Sequence, residues 1–170
     1  MLPSCWSLDA TTHLDNLFDY CRKEFEVDRL LVIARMDTQR RYLSPHIKVF
    51  IENAFGRNIL DSFMVSGWPG TELIGHVSRA YLINFSEEIQ YKMIRLENRL
   101  FQWIDNNKPP LPEDLCLFKQ GGLYPNLISV THEKDAWLVS EKKIQFQEAH
   151  KTKLKLSDLL VFDGKYFCKT

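Results

Sequence analysis

The sequence predicts a single α+β domain, with about three amphipathic helices packed on a mainly antiparallel sheet. Three segments repeat apolar residues at helical spacing, while several shorter segments are continuously apolar or alternate as strands do. A β-meander over residues 111–140 and a C-terminal hairpin supply consecutive antiparallel strands. Because 170 residues suffice for one well-buried core, we expect one domain over residues 1–170, with residues 1–10 as an N-terminal arm.

The first two helices are predicted from the signals at their ends. We expect the first helix to begin after the N-cap Thr12 and to end near Glu26, with an apolar stripe between them. Ser44 is the expected N-cap of the second helix, and Pro45 suits its first position. Gly56 suits the left-handed conformation that often follows a helix. The first buried strand should lie between these two helices.

The third predicted helix is the longest. Ser86 is its expected N-cap, Glu87 and Glu88 favour the positive end of the helix dipole, and the helical pattern continues to Asp105. Its other positions carry charges of both signs. We expect this outer face to be solvated, or to bind a partner if apolar residues extend beyond the stripe.

Strands are predicted in four segments besides the meander. Residues 30–34 are apolar on both faces, which is typical of an inner strand. Residues 58–65 and 77–85 are joined by a Gly- and Trp-containing loop over residues 66–71. Residues 159–168 contain an Asp-Gly pair between two β-prone runs and predict a hairpin.

The meander should bring ionisable side chains to one end of the sheet. Its first two strands turn near Gly121 and Gly122, either in a two-residue turn or in a loop over residues 120–125. In both registers, the start of the first strand lies beside the end of the second. The side chains expected at that edge are Glu113, Asp114, His132, Glu133 and Asp135.

This polar edge has two interpretations. A histidine beside carboxylates has a raised pKa and can serve in acid/base or metal chemistry. The candidate catalytic residues are His132, Glu113, Asp114 and Asp135. However, His132 and Glu133 are adjacent, and adjacent side chains of a straight strand point to opposite faces. We favour the second interpretation, a salt-bridged sheet edge that discourages pairing with other strands.

Cys116 and Trp68 have simpler expected roles. Cys116 follows an aliphatic and acidic segment that raises the pKa of a thiol, so we expect a core residue and not a nucleophile. The four cysteines form no CxxC pair, and a zinc site is unsupported. Trp68 is expected to fold inward as a lid, and the alternative is an exposed anchor for a partner.

The charge balance argues against two classes of partner. Lysine plus arginine and aspartate plus glutamate each number 22, so no net field attracts nucleic acid or an anionic membrane. The N-terminus lacks the pattern of a secretory signal, and no apolar run reaches the roughly 18 residues of a membrane span. We expect a cytoplasmic protein that binds neither nucleic acid nor membrane, without a metal or cofactor.

Three short motifs occur in a fixed order. They are Trp68-Pro69-Gly70-Thr71, then Pro112-Glu113-Asp114-Leu115-Cys116, and then Ser129-Val130-Thr131-His132-Glu133, which has the form SxxHE. Over roughly residues 60 to 140, this order resembles a family of small uncharacterised bacterial proteins. The resemblance implies kinship with bacterial proteins but no activity.

Two functions are predicted. The first is a non-enzymatic protein-binding domain, of the kind found in immunity proteins or antitoxins, with Trp68, Thr71, Glu113 and Glu133 as contacts. The second is a hydrolase or metal-dependent enzyme that uses His132 with nearby carboxylates. The absence of a catalytic or cofactor motif favours the first prediction.

Overall fold

An antiparallel sheet of eight strands carries the rest of the structure. In this computed structural model the described residues are 2–34, 36, 43–102 and 114–159. The strands within them are β1 Ser4–Leu8, β2 Arg29–Ala34, β3 Ile59–Val65, β4 Gly67–Trp68, β5 Thr71–Glu72, β6 Ser78–Asn84, β7 Leu115–Phe118, β8 Leu127–Val130, β9 Asp135–Ser140 and β10 Ala149–Lys155. The helices are α1 Leu14–Phe25, α2 Pro45–Phe55, α3 Glu87–Leu96 and α4 Leu156–Leu159.

The strand order of the large sheet is β10-β1-β9-β8-β7-β2-β6-β3. Every neighbouring pair is antiparallel. The short strands β4 and β5 form a separate hairpin. The predicted α+β class with a mainly antiparallel sheet is therefore confirmed, and so is the meander, whose strands are β7, β8 and β9.

Strand β2 lies inside the sheet because it is apolar on both faces. It pairs with β6 on one side and with β7 on the other. Leu30 and Val32 pack with the helices, whereas Leu31 and Ile33 pack in a second apolar cluster. Burial on both faces is what the continuous apolar run predicts.

Helices α1, α2 and α3 contribute to one apolar cluster with the sheet. Leu17 and Phe18 of α1, Ile51 and Phe55 of α2, and Ile89 of α3 are buried in this core. Burying such a side chain contributes roughly 1.5–3 kcal/mol. The apolar stripes of the three helices therefore fix their inner faces and leave their outer faces to solvent.

The β4–β5 hairpin and α4 supply buried residues to the second cluster. Trp68 of the hairpin and Leu159 of α4 pack there with Val65, Ile128 and Val139. The sheet is thus buried on both faces, by three helices on one and by shorter elements on the other.

The chain near residue 98 changes the predicted ends of two helices. The hydroxyl of Thr12 makes no hydrogen bond within the described residues, so Thr12 is not the N-cap of α1. The backbone N–H of Leu14 instead donates to the Asn98 carbonyl, and the N–H of Asp15 donates to the Asn98 side chain. Because this segment is extended to meet α1, helix α3 ends at Leu96 and does not continue to the predicted Asp105. Residues 103–105 lie outside the described residues.

Other predicted ends are confirmed. Helix α1 ends at Phe25, and α2 begins at Pro45 after Ser44. Gly56 follows α2 as predicted and has a positive φ of +43°, which favours glycine, but its ψ of −121° is not that of the predicted left-handed conformation. Ser86 caps α3 by accepting a hydrogen bond from the N–H of Ile89.

Two strands of the sheet, β1 and β10, were not predicted. Residues 1–10 are not an arm, because β1 is inserted between β9 and β10. Its Cys5 and Leu8 are buried, and an irregular register near Ser4 obscures the alternation. The charged segment before residue 156 contains β10, which borders the described sheet and whose lysines at 151, 153 and 155 are exposed. Lysines are common on edge strands because they discourage pairing with other chains.

Only the first residue of the predicted C-terminal hairpin lies within the described chain. Leu159, predicted as its first residue, lies in helix α4. Residues 160–168 are outside the described part of the chain. No described helix combines the length and apolarity needed to cross a membrane.

Candidate functional site

An apolar groove lies between α2 and α3 on the helical side of the sheet. Its volume is about 670 Å³. Phe50 and Ala54 of α2 and Tyr91 and Leu96 of α3 supply its apolar lining. Ligand sites in proteins typically have volumes of roughly 300–1,000 Å³. The groove is therefore large enough to receive several side chains.

Two α3 side chains in this groove are unusually exposed for their type. Tyr91 is 61% exposed and Leu96 is 37% exposed. Phe50 is half-buried against the core below them. Val49 of α2 is also exposed but does not line the groove. Contiguous exposed apolar side chains with a polar rim are typical of a binding surface.

The groove's rim is predominantly cationic. Glu88 accepts contacts from Lys92 at 2.8 Å and from Arg57 at 3.5 Å. These contacts lower the pKa of the Glu88 carboxyl, mainly through the hydrogen bond from Lys92. Arg95 is exposed and its guanidinium carbon lies 5.6 Å from the centre of the Tyr91 ring. Two cations therefore contact the one rim carboxylate, and a third, Arg95, lies over the Tyr91 ring.

A second groove, between α1 and α3, also reaches Tyr91 but is more polar. Arg22 of α1 contacts Glu87 of α3 at 3.4 Å. Gln90 of α3 donates a hydrogen bond to Asp19 of α1. These contacts bridge the two helices, so the apolar surface is concentrated on the α2 side of α3.

The end of the meander is organised around Asp114, which is 0% exposed. Its Oδ2 accepts a 2.6 Å hydrogen bond from Trp68 Nε1, and its Oδ1 accepts a 2.8 Å bond from the Thr131 N–H. Asp114 was expected among the exposed acids of this edge, but its carboxylate instead connects two elements inside the protein. A hydrogen-bonded buried carboxylate of this kind stabilises the fold.

The register explains this placement. The observed register pairs Cys116 with Ile128. It lies between the register predicted for the two-residue turn and the register predicted for the longer loop. The backbone ends of β7 and β8 meet as expected, and Asp114 lies beside Thr131. The convergence of the strand ends is confirmed, whereas the side chains separate into one buried acid and several exposed groups.

His132, Glu133 and Asp135 form the exposed part of the same edge. Residues Thr131–Glu133 make a 3₁₀ turn, and Asp135 begins β9. The turn brings His132 Nε2 to 3.7 Å from Glu133 Oε1, so the two side chains do not diverge as they would on a straight strand. Glu113 lies outside the described residues. Within those that are described, no group of three or more His, Cys, Asp or Glu residues is placed to hold a metal ion.

Trp68 is fully buried, as the lid interpretation predicts and the exposed-anchor alternative does not. Gly70 continues the lid at a φ of +89°, and a methyl group there would lie 2.6 Å from Val130 Cγ2. Its N–H donates to the Leu159 carbonyl. Thr71 is half-buried, and its hydroxyl has no hydrogen-bond partner in the described structure.

Cys116 is a buried core residue, as predicted. Burial raises the pKa of its thiol, and the nearby Asp114 carboxylate adds to this effect. Burial likewise raises the pKa of the Cys21 thiol. A thiol held in its protonated form is a weak nucleophile, so neither cysteine is suited to covalent chemistry.

The groove was not located from the sequence, although one signal was present. Tyr91 follows Ile89 by two positions, which places it on the opposite side of the helix from the buried stripe. A large aromatic residue on the outer side of a helix is an apolar residue beyond the buried stripe, as a partner-binding face would require. Phe50 gave no comparable signal, because its position beside Tyr91 depends on how α2 and α3 pack. Arg95 follows Tyr91 by four residues on the same helix, so its contact with the ring follows from the helix geometry itself.

Comparisons with protein-family models, curated proteins and solved structures find no match to this chain.

Proposed function

We propose that this chain is a protein-binding domain whose contact surface is the groove between α2 and α3. The observation that carries the proposal is the 61% exposure of Tyr91 beside an apolar floor. Tyrosine is enriched at binding hot spots because its ring buries a large area while its hydroxyl retains hydrogen bonds. The proposal keeps the predicted class of function but moves the contact away from Trp68.

The meander end supports the proposal by exclusion. Trp68 and Asp114 are engaged with each other inside the protein. Glu133 and Asp135 are exposed charged residues of the same edge. Charged residues alone contribute little to affinity unless they surround a desolvated core.

Site-specific photo-crosslinking tests the proposal. A photoreactive phenylalanine derivative replaces Tyr91 and, in a control, Leu123, which is 76% exposed in the β7–β8 loop. We expect a discrete adduct with another protein at position 91 and none at position 123. The purified partner should then bind at least about tenfold more weakly to Tyr91→Ala, whereas Leu123→Ala should leave its affinity unchanged.

The proposal is contradicted by an adduct of equal yield at both positions, by the absence of an adduct at position 91, or by a partner whose affinity is insensitive to Tyr91→Ala. An adduct between two copies of the chain would also count against it, since it would make the groove a self-association surface. The immunity- or antitoxin-like role stays a prediction, which a toxin as the cross-linked partner would support.

A further inference from the structure

We infer that the segment bound in the α2–α3 groove is an amphipathic helix of the partner that presents a carboxylate to Arg95. This inference rests on the proposed function and specifies the chemistry of the partner. Three features of the groove support it: the helical nature of its walls, its length along α3, and the charge of its rim.

The walls of the groove favour a helical occupant. Both α2 and α3 use their backbone groups in their own hydrogen bonds, so the groove offers side chains and no strand edge. An extended peptide would lay unpaired N–H and C=O groups against Phe50 and Ala54, and burying such groups is costly. A helix satisfies its backbone internally and presents only side chains. An extended segment would find better partners at β3, which borders one side of the described sheet.

The length of the groove sets the size of the contact. Its lining on α3 runs from Glu88 to Leu96. Eight helical rises correspond to about 12 Å, or somewhat more than two turns. A partner helix of that length places three apolar side chains on one face, at positions i, i+3 or i+4, and i+7. These can contact Phe50, Tyr91 and Leu96.

The rim charges favour an acidic flank on that helix. Lys92 and Arg57 share the single carboxylate of Glu88. Arg95 makes no ion pair with a carboxylate in the described part of the chain, and its guanidinium lies over the Tyr91 ring. This contact holds a cation at the mouth of the apolar groove. A carboxylate on the partner would meet it there, whereas a basic flank would be repelled.

Selection from displayed peptides tests the inference without knowledge of the partner. One library consists of helical peptides of about 14 residues with one face randomised, and a second consists of disulfide-closed loops that cannot form a helix. Both are selected on the wild-type protein and counter-selected on Tyr91→Ala. We expect binders from the helical library that combine apolar residues at i, i+4 and i+7 with Asp or Glu on one flank.

Two charge reversals then test the acidic flank. Arg95→Glu should weaken binding of the selected helices by about tenfold and should shift a repeated selection towards Lys or Arg. Lys143→Glu makes the same change of charge at an exposed site away from the groove, and it should leave affinity unchanged. Binding to the wild type should weaken as salt is added, since the contact lies at a solvated rim.

The outcomes separate the two proposals. Binders drawn only from the closed loops, or helical binders without acidic enrichment and without sensitivity to Arg95→Glu, would overturn the inference while leaving the groove as a binding surface. If neither library yields a binder that depends on Tyr91, and position 91 also gives no adduct, both proposals fail. Competition between a selected helix and the cross-linked partner would support both.

Discussion

The α2–α3 groove and the end of the meander depart from the usual distribution of side chains in opposite ways. In the groove, apolar Tyr91 and Leu96 are exposed. At the meander end, the carboxylate of Asp114 and the indole N–H of Trp68 are fully buried. Buried polar groups and exposed apolar patches are the informative exceptions in a folded protein.

The two regions differ in whether the described chain itself supplies contacts that compensate for the unusual placement of these side chains. Asp114 accepts hydrogen bonds from Trp68 and from the Thr131 backbone, so its burial is compensated inside the fold. Tyr91 has Arg95 over its ring but retains most of its surface in solvent. The first arrangement serves stability, whereas the second is the surface that we propose binds a partner.

The largest expected effect comes from breaking the buried arrangement. Asp114→Ala leaves the donors of Trp68 and Thr131 without their acceptor, and each buried unpaired donor costs about 1–3 kcal/mol. We expect the free energy of unfolding to fall by about 3 kcal/mol in urea titrations. Asp135→Ala removes an exposed carboxylate from the same edge and should change it by less than about 0.5 kcal/mol. Equal losses in the two variants would mean that Asp114 does not have the assigned role.

An intermediate effect is expected at the lid that carries Trp68. Gly70→Ala forces a side chain to adopt a φ of +89° and places a methyl group against Val130. Gly75→Ala has a similar φ of +73° but nothing within 4 Å, and so isolates the backbone cost. We expect about 1 kcal/mol of destabilisation at position 75 and about 1 kcal/mol more at position 70. Thermal or urea unfolding measures both, and a lid that does not touch β8 would give the same loss at the two positions.

The smallest expected effect on stability belongs to the groove. Tyr91→Ala truncates an exposed side chain, so the free energy of unfolding should change by less than about 0.5 kcal/mol. Ile89→Ala, two residues earlier in the same helix, removes a fully buried side chain and should cost about 2–5 kcal/mol. A large loss for Tyr91→Ala would place Tyr91 in the core and remove the contrast between the two regions.

Much of the fold could be predicted from local patterns. Apolar periodicity located α1, α2, the start of α3 and the strands β2, β3 and β6, because burial on one face or both leaves a direct record in the sequence. The N-terminal strand and β10 escaped this method. Cys5 and Leu8 alternate irregularly in β1, and β10 borders the described sheet with exposed lysines where apolar residues are usual.

The candidate sites were predicted less well, since they depend on contacts between distant residues. The sequence predicted that the ends of β7 and β8 meet. The observed register differs by one residue from each predicted register, and the register decides which side chains of the two strands face each other. Asp114 meets Trp68 only because the β4–β5 hairpin folds onto the sheet. Phe50 meets the groove beside Tyr91 only because α2 and α3 pack on the same face.

The sequence by itself determined which segments are helices and strands over most of the described chain, which side of each is apolar, and that Trp68 and Cys116 belong inside. These are local properties of side-chain period and size. Only the tertiary structure decided that Asp114 is buried, that residue 98 ends α3 by meeting α1, and that Tyr91 borders a groove. Such outcomes arise from packing between elements far apart in the chain, which no local pattern encodes.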